Sequence, residues 1–327
     1  MDPRTRAQQI RVADAGAWAF MTNEERAAWR RNSRLFEEEF EAIDQTAVSV
    51  AEGRLAGIAD LRGAGLVVQR PLWAKITTYR KVSDMGPAEQ SMSGRSQGEA
   101  DNTERDQASI PVPITFKDFE IDGRNLEAAR AMGATIETDD VSAATRQVVE
   151  LLEDRLFNGG GPKVSGSRIE GYTSFADRNT YIPGAGSAWD SLVDKGDILG
   201  FVLAMFQKLE DVDQGDGTCW LYVPMNYFTT IMDDHNAQAG VSVLDRIMQI
   251  PNLGAVRFSS KLADDNAILV RAASEVVDLV VEQDVDVLDM QGDFGMSVGM
   301  KVWAAMAPRL KSDYNGNAGI VHATFAA

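Results

Sequence analysis

Prolines at alternate positions of a strand-like run constrain this chain more than any other feature. Ile110, Val112, Ile114 and Phe116 alternate with Pro111, Pro113, Thr115 and Lys117. A period of two places the four apolar side chains on one face, expected to point inward. Proline has no N–H to give a ladder, so the run is an edge strand or a free-standing ribbon. A crossover then leads to a long helix. Asp139 is expected to cap it, Asp140 to sit at the positive end of its dipole, and Asn158-Gly159-Gly160-Gly161 to end it. Val141, Ala144, Val148, Leu152 and Leu156 form its buried stripe, whereas Arg146, Glu150, Glu153 and Asp154 are expected to face water or a neighbour. Nothing in the unit is a catalytic device. It reads as architecture.

The rest of the 327 residues can bury a large core, in one to three domains. A net charge of −17 argues against a general nucleic-acid binder, which needs a basic surface. The single cysteine, Cys219, excludes an intrachain disulfide and points to a reducing cytosol. No run is long and apolar enough to span a membrane, and no export signal is expected.

Residues 1–34 are locally basic, with seven arginines against four acidic residues. Thr22 and Glu25 read as the start of one helix. A second is expected from Ser33, with Leu35, Phe36, Phe40, Ile43, Ala47 and Val50 on one face and Gly53 and Gly57 weakening it. Strand-like text appears at Leu66-Val67-Val68 and across residues 71–82. Between Ser83 and Ser109 there is no aromatic residue, Val, Ile or Leu. Such a stretch cannot build a core, and between two strand patterns it is expected to be the tip of a long β-hairpin.

After the long helix, Pro162 to Trp189 reads as Gly/Ser-rich connection with one apolar island, Ile169-Glu170-Gly171-Tyr172. Ile198, Leu199, Val202, Phe206 and Leu209 then mark a helix that Gly215-Asp216-Gly217 breaks. Cys219–Val223 is a buried strand ended by Pro224. Short helices follow at Tyr227–Met232 and Val243–Met248, then strands at Ala255–Phe258, Ala267–Arg271, Val276–Val281, Met296–Ala304 and Ile320–Phe325. Segregated helices with antiparallel-looking strands indicate an α+β fold.

No constellation carries chemistry. His235, His322 and Cys219 lack a Cys/His signature, and structural roles are expected for all three. Glu282, Asp284 and Asp286 alternate along a strand, followed by Asp289 and Asp293. Without a calcium loop or histidines they read as a solvated acidic edge. The glycine cluster ends a helix rather than opening one, unlike a phosphate loop. Trp73, Trp189, Trp220 and Trp303 read as core or interface anchors. No catalytic residue, cofactor site or metal site is expected.

The order of these parts resembles the tailed-bacteriophage major capsid proteins and their relatives, the encapsulins. Phe40-Glu41-Ala42-Ile43-Asp44, leading through Ala51–Gly57 to Gly65-Leu66, looks like the opening helix and turn of encapsulins. Pro111-Val112-Pro113 through Phe116 to Asp122, then Asn125-Leu126-Glu127-Ala128, is similar to the return strand of the family's extended loop and its next turn. Ala143-Ala144 through Val148-Val149 to Glu153-Asp154 and Phe157-Asn158-Gly159 looks like its spine helix. Gly171-Tyr172 sits at a short glycine-containing segment, and Leu279–Asp284 resembles the strand entering the last part of the fold.

The resemblance implies an N-terminal arm and helix (1–70), an extended β-hairpin loop (71–121), a peripheral domain with the spine helix (122–191), an axial domain (192–273) and return strands completing the peripheral domain (274–327). It implies a shell protein that self-assembles through pentamers and hexamers around double-stranded DNA, touched non-specifically. A decoration or scaffolding protein is a further implied partner, and no membrane is. The implied location is the virion capsid, assembled in the bacterial host cytoplasm. About 35 residues precede the encapsulin-like start, and the polar tip is long; both favour a viral shell over an encapsulin nanocompartment with a cargo enzyme near Ser33–Val50. Lys75 and Lys81 lie in the loop, but nothing supplies an asparagine partner and no crosslink is inferred. A cytosolic hydrolase using Cys219 or His235 is the distant alternative.

Overall fold

The computed structural model describes residues 37–52, 56–83, 85–86, 90, 92, 102–132, 138–192, 194–233, 240–290 and 297–326. The expected helix start at Thr22, Leu35 and Phe36, His235, Asp293 and much of the Ser83–Ser109 tip lie outside these residues.

The chain opens with α1 (Glu37–Glu52) and α2 (Ala56–Gly63), then β1 (Val67–Gln69), β2 (Ile76–Val82), β3 (Arg105–Pro111) and β4 (Ile114–Asp122). Next come α3 (Gly123–Met132), the long α4 (Asp139–Asn158), and short strands β5 (Gly160–Val164), β6 (Ser167–Ile169) and β7 (Asn179–Tyr181). The second half holds α5 (Asp197–Glu210), β8 (Cys219–Pro224), α6 (Phe228–Met232), α7 (Val243–Met248), β9 (Leu253–Ser259) and β10 (Asn266–Arg271). It closes with β11 (Val277–Met290), β12 (Ser297–Leu310) and β13 (Ile320–Thr324). Among the described residues no helix is long and apolar enough to cross a membrane.

Two sheets and two ribbons result. One sheet has the order β1-β11-β12-β4, the other β7-β13-β10-β8-β9, and β2–β3 and β5–β6 stand as two-stranded ribbons. The sheets are mixed rather than antiparallel throughout, because β1/β11, β7/β13 and β8/β9 run parallel. The expected grouping of 274–327 holds for β11 and β12 in the first sheet; β13 instead pairs with β10 in the second.

The proline-spaced run is not one strand. It divides at Val112–Pro113 into the end of β3, in the ribbon, and the start of β4, on a sheet edge. Ile110 and Val112 are buried, but Ile114 and Phe116 are 53% and 56% exposed. The sheet twists the chain across the break, so Phe119 and Ile121 take the core face instead. The ribbon's stem is longer than the composition implied, since β3 begins at Arg105 and pairs with β2 from Ile76–Pro111 to Val82–Arg105. Its first strand is shorter: 71–75 form a turn before β2. The helix α3 and the ribbon β5–β6 were not expected.

A larger core joins α1, α2 and α4 to the inner face of the first sheet; a second lies between the other sheet and α5 to α7. The strand β8 serves both. Cys219, Leu221 and Val223 enter the second core, while Trp220 and Tyr222 enter the first, which is why its apolar run is unbroken.

The long helix has the expected stripe, with two corrections at its polar positions. Its N-cap is Thr138, whose carbonyl accepts from Ser142, and Asp139 is the first helical residue. Glu153 faces inward, 4% exposed, and its carboxylate accepts the Gly57 N–H at 2.7 Å and the Ile58 N–H at 3.4 Å. It thereby serves the free N–H groups opening α2 from across the core.

The other end of α4 is closed by tertiary contact. Gly159 has φ +69°, a value that favours glycine, and its N–H reaches the Arg155 carbonyl. The carbonyls of Leu156 and Phe157 accept from the N–H groups of Tyr172 and Thr173 at 3.0 and 2.9 Å. Gly159 and Gly171 cross so closely that a Cβ on Gly171 would stand 2.3 Å from the Gly159 nitrogen. We expect Gly171→Ala to destabilise the unassembled subunit by at least about 1–3 kcal/mol, the ordinary cost of overpacking. Gly200→Ala, in open space on α5, should be neutral or stabilising. Urea unfolding of the two variants checks the contrast.

Candidate functional site

The residues with nucleophilic or basic chemistry are not brought together. Cys219 is fully buried, and burial pushes its thiol up to about 11, only partly opposed by Arg271. His322 is held neutral: Arg178 Nε donates to its Nδ1 at 3.3 Å, which leaves Nε2–H to donate to Asn266 Oδ1 at 2.8 Å. Burial, with Arg178 beside it, lowers the ring to about 4. Cys219 aligns with Arg271 and His322 with Ile268, on strands flanking β10. Two strand spacings, roughly 9–10 Å, plus that offset keep the pair apart.

The acidic edge is less solvated than its composition implied. Asp284 pairs with Arg62, and Asp289 is 9% exposed. Glu282 lies where the β11–β12 register slips, and burial raises its carboxyl to about 7. Among the described residues no three His, Cys, Asp or Glu side chains form a metal-sized group.

The built polar features of the molecule belong instead to the ribbon. At its root Arg309 and Asp278, 6% and 2% exposed, form a two-bonded pair at 2.8 and 2.6 Å. The same guanidinium donates to Thr77 Oγ1 at 3.0 Å and to the Thr78 carbonyl at 3.2 Å, tying β2 to β11 and β12. Lys311 adds a second cation on Asp278 at 2.7 Å. Farther out, Lys81 meets Asp177 at 2.8 Å, Asp177 accepts from Ser312, and Tyr314 bonds Glu104. The ribbon is therefore fastened by alternate residues of one strand through polar bonds, buried at the root and exposed toward the tip.

Several large apolar side chains are left outside. Trp73 is 73% exposed at the turn before β2, and Ile114 and Phe116 project from the sheet edge. Ile182 and Met132 are 74% and 82% exposed. Trp189, Trp220 and Trp303 are core residues, so of the four anchors singled out only Trp73 faces outward.

Residues 31–323 match a protein family described as a family of unknown function, DUF6260. The chain belongs to that family. Its fold is shared with shell proteins across nearly the whole length. A virus-like particle from Pyrococcus furiosus is similar with a TM-score of 0.60 at 16% identity, over 88% of this chain and 99% of that one. The capsid of Myoviridae phage XM1 gives 0.60 at 15%, over 82% and 92%. The capsid of an empty GTA particle gives 0.60 at 14%, over 83% and 90%. The DUF6260 chain thus has the tailed-phage major capsid fold, related to encapsulins, as the order of its motifs implied.

Two measurements follow from the buried charges. Arg309→Met leaves Asp278 with Lys311 alone and should cost about 3 kcal/mol in urea unfolding, the low end for breaking a buried pair. Hydrogen exchange of Thr77–Val82 should accelerate with it. Burial raises the Glu153 carboxyl to about 7, against the pull of the Gly57 and Ile58 N–H groups. The folded state thus favours the protonated form, and wild type should lose stability relative to Glu153→Gln as pH rises from about 4.5 to about 7. The difference is on the order of 2–3 kcal/mol, read from unfolding curves at the two ends.

Proposed function

We propose that this chain is a structural major capsid protein that self-assembles into an icosahedral shell enclosing the double-stranded DNA of a tailed phage. The observation that carries this is likeness of fold to capsid subunits over four-fifths of the chain and nine-tenths of theirs. The work of such a protein is geometric: unlike surfaces of identical copies meet and close into rings of five and six. No turnover is assigned to it. In this reading the first sheet and α4 form the peripheral domain, and the second sheet with α5 to α7 forms the axial domain. The ribbon β2–β3 reaches a neighbouring subunit, adding interface area beyond that of the compact body. The finished location is the virion capsid, after assembly in the host cytoplasm, with a decoration or scaffolding protein as a further partner and DNA touched without sequence preference.

An encapsulin-type compartment is the second reading, favoured by the match to 99% of the Pyrococcus furiosus particle's chain. Expression of the chain alone, followed by electron microscopy and mass analysis, separates the readings. Closed shells without co-purified protein support the capsid. Uniform small shells carrying a discrete protein support the compartment, and a small soluble oligomer overturns both. Deleting residues 84–103 should leave the subunit folded and lower the temperature at which shells come apart; unchanged shells would refute the clasping role of the ribbon.

A further inference from the structure

The ribbon root reverses the charge of the chain and carries its exposed aromatic residues. Segments 70–81 and 110–117 contain five cations, Arg70, Lys75, Arg80, Lys81 and Lys117, and no acidic residue, in a protein of net charge −17. Lys81 is engaged by Asp177, but Arg70, Lys75 and Lys117 are exposed. The apolar residues fall between them. The Val112 N–H donates to the Lys75 carbonyl at 3.0 Å, the rung beyond the Ile76–Pro111 pair. Trp73 lies two residues before that rung on one strand, and Ile114 two after it on the other. Phe116 follows on the face of Ile114, with Lys301 Nζ 4.3 Å from its ring centroid. The strand β4 has no neighbour on its outer side.

We propose that this root is a docking surface for an acidic face of a second copy of the same chain. A cation-rimmed apolar surface on a strongly acidic protein repels nothing the protein offers to itself, and suits the acidic surface that most of the molecule presents. An exposed tryptophan beside a phenylalanine, with water excluded by the rim, has the makeup of an interface hot spot. Because the donor and acceptor surfaces differ, the contact is head-to-tail, the kind that builds rings. The inference deepens the shell reading and rests on it. It places the affinity at the apolar root and not in the polar tip.

The test uses the full chain, with assembly followed by sedimentation and electron microscopy across concentration at low and high salt. The Trp73→Asp/Phe116→Asp double variant should remain unassembled to at least about tenfold higher concentration than wild type, the scale of losing a hot spot. Lys75→Glu/Lys117→Glu should raise the assembly concentration severalfold, and added salt should weaken wild-type assembly. Subunit melting should be unchanged; if Phe116→Asp disturbs folding, Trp73→Ser alone gives the same readout. Variants that assemble at the wild-type concentration while wild type forms shells overturn the docking surface and leave the shell reading intact. Discrete wild-type oligomers that never close, but that the variants dissociate, support the surface and overturn the shell. A wild type that stays monomeric overturns both.

Discussion

The crossing of Gly159 and Gly171 is the contact on which the rest of the molecule depends. A 20-residue helix ends with carbonyls that need donors, and here Tyr172 and Thr173 supply them from the segment that returns across its end. That return is possible because neither glycine carries a side chain at the crossing. It also delivers Tyr172 to the centre of the protein, where Phe157 meets it edge-on at 5.7 Å and Tyr222 stacks on it at 5.9 Å. Tyr222 belongs to the strand that both cores share. Helix end, returning segment and central strand are thus one joint, and the two sheets take their places from it.

Much of this architecture was legible, for physical reasons that can be named. Helices with a clear apolar stripe, such as α4 and α5, and the doubly buried strand Cys219–Val223 bury whole faces, so periodicity and apolar runs report them directly. The ribbon was legible from its unlike stem and tip compositions. Elements whose partners are distant were not. The Glu153 carboxylate looks like any exposed helical acid until α2 brings two unpaired N–H groups against it. The helix α3 has a weak stripe, with Leu126 its one fully covered apolar residue among those described. The membership of β13 in the second sheet depends on a crossover that local pattern does not encode.

The candidate surface was half legible. Alternation identified Ile110, Val112, Ile114 and Phe116 as a set but assigned all four to the interior. The division at Val112–Pro113 sends the first two into the body and turns the last two outward. Period-two reasoning assumes one continuous strand, and a proline-spaced segment is where that assumption fails. The buried Asp278–Arg309 pair escaped for another cause: the two residues are 31 apart and meet only across the β11–β12 ladder, whose register the sequence does not state.

The ladder between β2 and β3 closes completely before the tip, from Ile76–Pro111 to Val82–Arg105, with Ser83 N–H on the Glu104 carbonyl as its last rung. What lies beyond contributes no residue to either core. Loop-closure entropy grows only slowly with length, so added residues there are cheap for the fold. The tip is consequently a natural graft site. A peptide epitope or affinity tag inserted between residues 84 and 103 would be carried by a prefolded stem, and every copy in an assembly would carry it.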